Sequence, residues 1–508
     1  MRTKPIALFM AFGTKGDVYP IAAIAAAFAS DQKQYEVAFV THSAHENLKS
    51  HLGAKGVAYF PVSSPPVLSS HQDDKESAEG AFSLQKKEIT RRHRQECFSI
   101  VERVYGEGSI MDGDLIVINF FALEGWSLAE LFHVHCIVAA PYVVPYSAPS
   151  SFERQFRAQF PLLYKYLQEG PTGKIGWEDV IHWMWPLFSE EWGSWRSLDL
   201  NLSFLPFTQD PVTGLPTWHD RPLSPLLLYG FSQEVVECPG YWPSAVRVCG
   251  FLFLPFEWQF SCLDCAELSA LNISRKLNPQ DELCSIHAPL KSFLDSSEDP
   301  PIFISLSSVG SMGYLRNPEA FLRMLGNALS ITNHRFVLFS AGYGSLDDAI
   351  KKFAQKPSPV SDQTHNNEVQ TCIFDGRLFC FSGDVPYSWL FPKCAAAIHH
   401  GGSGSTAAAL HAGIPQVICP FILDQFYWAE RMFWLGVAPE PLKSSCLLPS
   451  TDDESSSLKA AKALVQAISG ALSPEVKLHA RKIADRISLE DGVSTALQTI
   501  KEEIISAK

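Results

Sequence analysis

Two series of apolar strands alternating with helices run along the chain. The first begins with the strand segment PIALFMAF, the turn GTKGD and the apolar helical segment VYPIAAIAAAFA. The second begins at PIFISLSSVGSM and continues through RFVLFSAG, LFCFSGDV, AAAIHHGG and QVICPFI. Strands that are apolar at every position, with helices between them, are typical of parallel sheets buried on both faces. The pattern predicts an α/β protein with two Rossmann-like domains facing a cleft, where ligands bind beyond the carboxyl ends of the strands.

Changes in composition place the predicted domain boundaries. We predict an N-terminal domain over residues 1–255, a linker over 256–300, a C-terminal domain over 301–480 and a helical tail over 481–508. Between Gly170 and Phe207 the alternation stops, and the segment fits a pocket wall, a membrane-contacting surface or ordinary core. This segment is rich in tryptophan, with Trp177, Trp183, Trp185, Trp192 and Trp195.

The net charge and the hydropathy of the chain limit which partners and which cellular location it can have. The formal net charge of the 508 residues is -13, which argues against nucleic acid because its phosphates would be repelled. No apolar window reaches the roughly 18 residues of a membrane-spanning helix, and the apolar run at the N-terminus is too short for a signal peptide. We therefore expect a cytoplasmic protein, with peripheral membrane contact through the tryptophan-rich segment as an open alternative.

Three groups of metal-ligand residue types occur, and none predicts a metal site. Cys262–Cys265 is a lone CxxC with no second pair at zinc spacing, which favours buried thiols in a reducing compartment. Asp112–Asp114 spells DxD, but it precedes a strand rather than following one, which favours a solvated loop. The spacing of the first three histidines matches no metal motif, so we expect a surface position for His42, His45 and His51.

The segment from His399 to Arg431 is the most informative in the chain. A strand ends in two histidines, glycines then let the backbone turn, and a helix opens with two hydroxyl residues. The exposed N–H groups and the dipole at a helix start favour an anion. These features fit a diphosphate site at His400, Gly402, Gly404, Ser405 and Thr406, although glycine-rich turns before helices are also common without a bound anion.

The same turn also fits a dinucleotide. Gly402, Gly404 and Ala407 satisfy the relaxed GxGxxG/A fingerprint, and Asp424 follows Gly404 by 20 residues, near the end of a strand. An acid at that place binds the ribose of a nicotinamide or flavin cofactor. From the residues alone, an NAD(P)- or flavin-dependent oxidoreductase remains an alternative.

Several motifs resemble one glycosyltransferase family. HHGGSGSTAAALHAGIPQ and PFILDQFYWAER are similar to the donor-binding region of the sterol 3-beta-glucosyltransferases, which have the two-domain GT-B fold. Further family-like segments follow the same order along the chain, namely FGTKGDVYP, YWPSAVRVCGFLFLP, SSVGSM and DVPYSWLFPKCAA. The resemblance covers nearly the whole chain and is weakest between about residues 60 and 225.

This resemblance implies a UDP-glycosyltransferase that uses UDP-glucose as co-substrate, with no cofactor and no metal. Related plant enzymes hold the ribose with a Glu where this chain has Ala408, so ribose recognition differs here. Besides the turn, the family's donor contacts fall on Gly310 and Ser311 beside the diphosphate, Asp424 and Gln425 at the sugar, and Val385 and Trp389 at the nucleobase.

Asp17 is the predicted general base. On the turn alone, a helix-capping aspartate is the simpler interpretation, but the resemblance implies that Asp17 takes the proton of the acceptor hydroxyl. The predicted reaction is an inverting transfer of glucose to a lipophilic acceptor such as a sterol or triterpenoid, with no obligate protein partner. An inactive glycosyltransferase-like binding protein is a further alternative, although the retained site residues weigh against it.

Overall fold

The structure, a computed structural model, describes residues 2–67, 78–106, 110–141, 151–207, 210, 212–213, 216, 222–238, 240, 242–260, 262–265, 267–268, 283–306, 308–340, 342–354, 370–448 and 453–506. The chain divides into two compact units. The first comprises Met1–Leu68, Gln72–Phe253 and Glu490–Lys508, and the second consists mainly of Leu254–Leu489. Within the described residues, no helix has the length and apolar character needed to cross a membrane.

The first unit is built on a seven-stranded parallel sheet in the order β3-β2-β1-β4-β5-β6-β7. All five residues of β1 and all four of β4 are buried, because helices cover both faces of a parallel sheet. The strands are β1 (Ile6–Met10), β2 (Glu36–His42), β3 (Val57–Val62), β4 (Leu115–Ile118), β5 (His135–Ala140), β6 (Leu226–Tyr229) and β7 (Val246–Val248).

The helices of the first unit fill the connections between these strands. The tryptophan-rich segment forms short helical turns, including a π-helical turn at Val180–Met184. The α-helices are α1 (Lys15–Asp31), α2 (Leu48–Gly53), α3 (Ala78–Tyr105), α4 (Glu124–Leu131), α5 (Phe152–Gln159), α6 (Pro161–Gln168), α7 (Trp177–Asp179) and α8 (Glu190–Leu198).

The second unit has a six-stranded sheet in the order β10-β11-β9-β8-β12-β13. Its strands are parallel except for the edge strand β10, which pairs antiparallel with β11. The strands are β8 (Ile302–Ser305), β9 (Phe336–Phe339), β10 (Gln370–Ile373), β11 (Leu378–Phe381), β12 (Ala396–His399) and β13 (Gln416–Ile418).

Helices pack on both faces of this second sheet, and the two faces form separate hydrophobic clusters. The last helix, α19 (Gly492–Ser506), returns to the first unit. The helices of the second unit are α9 (Ala288–Asp295), α10 (Ser308–Ser311), α11 (Pro318–Ser330), α12 (Gly344–Ala354), α13 (Tyr387–Leu390), α14 (Ser403–His411), α15 (Gln425–Trp434), α16 (Ser444–Leu447), α17 (Glu454–Ala471) and α18 (Pro474–Ile487).

The segment predicted as a linker, 256–300, lies within the second unit. Its helix α9 buries Leu290, Phe293 and Leu294 against Phe303 of β8. Burying apolar side chains of this size contributes about 1.5–3 kcal/mol each. The described part of this segment is therefore integral to the core of the second unit.

In both units, strands are added first on one side of the unit's first strand and then on its other side, and we call this place the reversal point. The chain runs from β1 to β2 and β3 on one side and then crosses to β4 on the other. In the second unit, β9 and β12 flank β8 in the same way. Loops that leave the carboxyl ends of strands at such a reversal form a crevice, which is where ligands of these sheets bind.

Candidate active site

The predicted phosphate-binding turn follows β12, at the reversal point of the second unit. β12 ends at His399, and α14 begins at Ser403 with Gly402 as its N-cap. Gly401 adopts φ +89°, and a Cβ on it would lie 2.9 Å from Cγ2 of Ile418. Only glycine fits such a position without strain. The glycines therefore allow the abrupt change from strand to helix, which leaves the first N–H groups of α14 without intrahelical acceptors.

Both histidines of this turn are buried and neutral. The backbone N–H of Gly401 donates to Nδ1 of His399 at 3.0 Å, so the ring proton lies on Nε2, which is 2.9 Å from Oε1 of Gln416. Burial lowers the pKa of His399 to about 4, although the bond to Gln416 opposes the shift. Burial and the neighbouring His399 lower the pKa of His400 to about 3. Each ring therefore presents one N–H donor and one acceptor nitrogen.

Two buried polar atoms of the turn have no hydrogen-bond partner among the described residues, Nδ1 of His400 and Oγ1 of Thr406. Leaving such an atom unsatisfied costs about 1–3 kcal/mol. A Cβ on Gly402 would lie 2.5 Å from Nε2 of His400, so Gly402 allows the ring to pack against the turn. Gly404 is exposed, and the space around its Cβ position is open. Unsatisfied polar groups at a helix start are expected where an anion completes the site.

The predicted residues Gly310 and Ser311 lie in α10, which follows β8. Because Ser305 of β8 pairs with His399 of β12, the two loops leave neighbouring strands at the same edge of the sheet. Gly310 is buried, and a Cβ on it would lie 3.2 Å from Cδ1 of Tyr343. The side chain of Ser311 lies outside the described residues.

Tyr387, which is not among the residues predicted from the sequence, connects these two loops. Its hydroxyl forms hydrogen bonds with Ser305, at the end of β8, and with Ser405, in the first turn of α14. Burial raises the pKa of Tyr387 to about 12, so the hydroxyl stays protonated. The motif DVPYSWLFP contains this tyrosine, but only the pairing of β8 with β12 shows what it contacts.

The predicted sugar-binding pair follows β13, the strand next to β12. Asp424 is the N-cap of α15, and its Oδ2 accepts a hydrogen bond of 3.0 Å from Nε1 of Trp428. Gln425 is buried, and its Oε1 accepts hydrogen bonds from the backbone N–H groups of Phe421 at 2.9 Å and Ile422 at 3.2 Å. The carboxylate of Asp424 is therefore held in one orientation, and the side-chain nitrogen of Gln425 can still donate a hydrogen bond.

The two residues predicted to contact a nucleobase are buried in the core of the second unit. Val385 is 3% exposed and Trp389 is 4% exposed, and both belong to the cluster around Phe381 and Phe391. The ammonium of Lys393 lies 4.2 Å from the centre of the Trp389 ring. This packing leaves little of either side chain to contact a ligand.

Asp17 lies at the reversal point of the first unit, in the first turn of α1, the helix that follows β1. Its Oδ2 accepts hydrogen bonds from the backbone nitrogen of Thr14 at 2.7 Å and from the Thr14 hydroxyl at 2.8 Å. Burial raises the pKa of Asp17 to about 6, and the two bonds from Thr14 oppose that shift. Gly13 adopts φ +105°, and a Cβ on it would lie 2.6 Å from Oδ2 of Asp17. The carboxylate both caps α1 and titrates near neutral pH.

Asn119, directly after β4, braces this turn from the neighbouring strand. Its Nδ2 donates to the carbonyl oxygens of Phe12 at 2.8 Å and Asp17 at 3.1 Å, and its Oδ1 accepts from Phe12 N at 3.2 Å. Nε2 of His45 lies 2.9 Å from the carbonyl oxygen of Gly13. The backbone that carries Asp17 is thereby fixed from two other segments of the first unit.

Comparisons with known proteins bear on the fold and on the class of enzyme. The family model described as the C-terminal domain of erythromycin biosynthesis protein CIII-like proteins matches residues 375–485, which contain the turn and the Asp424–Gln425 pair. The sterol 3-beta-glucosyltransferase UGT80B1 of Arabidopsis thaliana is 25% identical over 97% of this chain and 67% of its own length. The chain is a GT-B protein similar to the sterol 3-beta-glucosyltransferases. These comparisons support the prediction of a UDP-glycosyltransferase.

Two further proteins are similar to this glycosyltransferase-like chain, one in sequence and one in structure. A terpene cyclase-glycosyl transferase fusion protein of Humicola fuscoatra is 27% identical over 54% of this chain and 17% of its own length. A UDP-glucosyltransferase from Polygonum tinctorium has a similar structure, with a TM-score of 0.58 at 14% identity, covering 100% of this chain and 99% of that one. This structural likeness confirms the predicted GT-B fold. The chain spans about two thirds of the length of its Arabidopsis relatives.

In this GT-B chain, a run of aromatic contacts begins next to Asn119. The ring of Phe120 lies 6.3 Å from that of Trp185, and Trp185 lies 6.1 Å from Phe152. Phe152 in turn stacks on Trp177 at 6.2 Å with an interplanar angle of 8°. Trp177 and Trp185 are half-buried. The tryptophan-rich segment thus supplies a partly exposed aromatic surface that begins near the turn carrying Asp17.

The predicted surface position of His42 and His45 is wrong, whereas His51 is half-buried. His42 is 5% exposed and His45 is 4% exposed. The Ser64 hydroxyl lies 3.1 Å from Nδ1 of His42 and 2.7 Å from Nδ1 of His93. Burial lowers the pKa of His42 to about 3, with smaller contributions from His93 and His45. Tertiary contacts with distant segments, which short spacing along the chain cannot reveal, bury these rings.

The solvated-loop interpretation of Asp112–Asp114 holds for Asp112, which is exposed, and is wrong for Asp114, which is 4% exposed. The Asp114 carboxylate pairs with Arg2 at 2.8 Å and accepts a hydrogen bond from the backbone N–H of Ile6 at 2.7 Å. It therefore anchors the start of β1 to the segment before β4, which is a structural role.

Proposed function

We propose that this chain is an inverting glucosyltransferase that transfers glucose from UDP-glucose to a hydroxyl group of a lipophilic acceptor. The observation that carries the proposal is the chemistry at the two reversal points. One presents a carboxylate whose pKa is raised to about 6. The other presents a helix start whose N–H groups suit an anion, with two buried polar atoms that have no partner among the described residues. A base and a diphosphate site are the two parts that such a transfer needs.

The donor would be held by loops from three adjacent strands. The N–H groups at the start of α14 and the neutral imidazole of His400 would contact the diphosphate, with α10 beside it. They would stabilise the negative charge that develops on the departing UDP. The Asp424 carboxylate would accept from sugar hydroxyls, and the Gln425 amide would donate to them. Ala408 offers no carboxylate to the ribose, so ribose contacts would come from other groups.

Asp17 would act on the acceptor. Both Thr14 hydrogen bonds reach Oδ2, so Oδ1 would take the proton of the acceptor hydroxyl as its oxygen attacks the anomeric carbon. The new bond forms on the face opposite the breaking bond to diphosphate, and the configuration inverts. A pKa of about 6 keeps Asp17 mostly ionised at pH 7, while leaving it more basic than an exposed aspartate.

A lipophilic acceptor is supported by the aromatic surface from Phe120 to Trp177. Stacked and half-buried aromatic rings favour a rigid apolar ligand over a polar one. The names of the relatives point the same way, since they include sterol glucosyltransferases and a terpene cyclase-glycosyl transferase fusion protein. We therefore propose a sterol, a triterpenoid or a related hydrophobic alcohol.

The decisive experiment has two stages. Thermal shift with UDP, UDP-glucose, NADH and NADPH tests the donor site, and we expect only the uridine nucleotides to raise the melting temperature. Stabilisation by the nicotinamides without UDP would instead support the oxidoreductase alternative and overturn the proposal.

In the second stage, sterols, triterpenoids and phenols are incubated with UDP-glucose and analysed by mass spectrometry and proton NMR. A β-glucoside of a lipophilic alcohol would support the proposal, because UDP-glucose carries the α configuration. An α-glucoside would contradict inversion. UDP binding without product across the panel would favour an inactive binding protein.

A further inference from the structure

Three cysteines and one histidine converge in the second unit, away from the donor turn. Sγ of Cys262 lies 3.6 Å from Sγ of Cys284, and Nδ1 of His287 lies 3.3 Å from Sγ of both Cys265 and Cys284. The four potential ligand atoms all lie within 4.8 Å of one another. We propose that Cys262, Cys265, Cys284 and His287 bind one structural zinc ion.

The spacing of these atoms matches a tetrahedral site. Zinc binds sulfur at about 2.3 Å and imidazole nitrogen at about 2.0–2.1 Å, which places tetrahedral ligand atoms roughly 3.5–3.8 Å apart. Three of the separations, 3.3–3.6 Å, fall at or just below this range, and all of them are within 4.8 Å, so shifts of up to about 1 Å would seat the ion. A disulfide needs its sulfurs about 2.05 Å apart and would use only two of the four groups.

The sequence around these residues has the form of a zinc motif once both ends are considered. Cys262–Cys265 is a CxxC, and Cys284–His287 is a CxxH, separated by residues 266–283. The second pair ends in histidine rather than cysteine, so a pattern of two CxxC pairs does not include it. Two such pairs, each on a short turn, are the usual source of the four ligands in structural zinc sites.

The chemistry of the donors selects zinc over harder cations. Three sulfurs and one imidazole are soft or borderline ligands, which disfavour magnesium and calcium. Zinc would bind the three cysteines as thiolates, so three protons leave as the ion enters, and the site carries a net charge of about −1 with neutral His287. The backbone N–H of Cys284 donates to Sγ of Cys265 at 3.3 Å, which helps to stabilise a thiolate there.

The surroundings suit a structural ion rather than a catalytic one. All four ligand residues are buried, and His287 and Cys265 are 0% and 1% exposed. Phe260, Leu283 and Ile286 pack around the thiols, and Phe381 of β11 meets the His287 ring edge-on at 5.5 Å. Four protein ligands in an apolar shell leave no open coordination position for substrate or water.

The ion would fix the beginning of the second unit. His287 immediately precedes α9, whose apolar face is buried against the sheet. Nε2 of Gln370, in β10, donates to the carbonyl oxygen of Ile286 at 2.8 Å. Zinc would therefore join the segment around Cys262 to α9 and to the edge of the sheet, and its loss is expected to destabilise this unit. The site does not depend on the proposed reaction.

The test is to measure bound metal in the full chain, expressed with zinc in the medium and purified without a polyhistidine tag. Elemental analysis should find about one zinc ion per chain. Cys265→Ser and Cys284→Ser should each lower the zinc content at least about fivefold, because a three-ligand site binds far more weakly. Cys394→Ser, which changes another buried thiol of the same unit, should leave the zinc content unchanged.

A second measurement covers variants that fail to fold. Cobalt exchanged into the unaltered protein should give the intense absorption of a tetrahedral thiolate site, and His287→Cys should retain the metal with a shifted spectrum. The proposal is overturned by wild-type protein that neither contains nor takes up zinc, by a Cys262–Cys284 disulfide in non-reducing peptide mapping, or by unchanged zinc in the two serine variants.

Discussion

Nε1 of Trp428 donates a hydrogen bond of 3.0 Å to Oδ2 of Asp424, one helical turn earlier. Trp428 is fully buried, so this donor cannot move without disturbing the core. The bond fixes one carboxylate oxygen at the start of α15. In the proposed site, a side chain held in this way would distinguish the orientations of sugar hydroxyls, because it would lose little rotational freedom on binding.

We expect Asp424→Asn to lower kcat/KM for UDP-glucose by about 10- to 100-fold, the range for losing hydrogen bonds to a charged group. The affinity for UDP should change less than about twofold, because the proposed site places this carboxylate at the sugar and not at the nucleotide. Steady-state kinetics and titration calorimetry measure the two quantities. Asp375→Asn, at an exposed turn of the same unit, is the control. Equal losses for UDP and UDP-glucose would place Asp424 at the nucleotide instead.

Gly404→Ala tests the diphosphate site without disturbing the fold. Among the described residues, no atom beyond the chain neighbours and the backbone of the same helix lies within 4 Å of the added Cβ, so the melting temperature of the ligand-free protein should hardly change. The methyl group would occupy space that a bound phosphate needs, and the affinity for UDP should fall at least about tenfold. Gly344→Ala, at the start of α12, also adds a methyl group in open space and should leave UDP binding intact. Unchanged UDP affinity in both variants would remove the diphosphate from this turn.

Asp17→Asn should retain UDP binding and lose turnover by about 10²–10⁴-fold, the usual contribution of a general base. Asparagine can still accept the hydrogen bonds from Thr14, so the start of α1 should persist. An unchanged melting temperature of the variant would verify this. Asp31→Asn makes the same change at the exposed end of the same helix and should keep turnover within about twofold. If Asp17→Asn turns over within about threefold of the unaltered protein, another group is the base.

The pH dependence should report the same carboxylate. Because the base acts when ionised and its pKa is raised to about 6, kcat/KM should be constant above that pH and fall about tenfold per unit below it. Thr14→Val removes a hydroxyl that donates to Asp17 and lowers its pKa, so the inflection should move to higher pH. Thr14→Ser keeps the hydroxyl and should keep the inflection in place. An inflection near pH 4 in the unaltered protein would contradict the assignment.

Local pattern was enough to predict β1, the main strands of the second unit and the two turns, but it did not identify the edge strands β3 and β10. The apolar runs became β1, β8 and β12, because each is buried on both faces. The turn GTKGD was predicted to precede its helix, yet α1 already begins at Lys15. The difference arises because Asp17 occupies the third helical position and accepts from Thr14, so the capping role and the proposed catalytic role belong to one carboxylate.

Contacts between segments that are distant in the sequence could not be predicted. Asp114 is buried because Arg2 pairs with it, His42 because Ser64 and His93 surround it, and the thiols of Cys262 and Cys265 because Cys284 returns to them. None of these neighbours is visible in a short window. The spacing of a motif shows which atoms are available, and the topology decides which of them meet.

The return of α19 to the first unit has a consequence for how the protein is made. Glu490 accepts a hydrogen bond of 2.6 Å from Ser232, and Lys501 pairs with Asp31 of α1 at 3.0 Å, so this helix is part of the first unit's packing. During synthesis, α19 leaves the ribosome only after the whole second unit. The first unit therefore lacks its last helix until the second unit has been synthesised, although domains generally fold in the order in which they are translated.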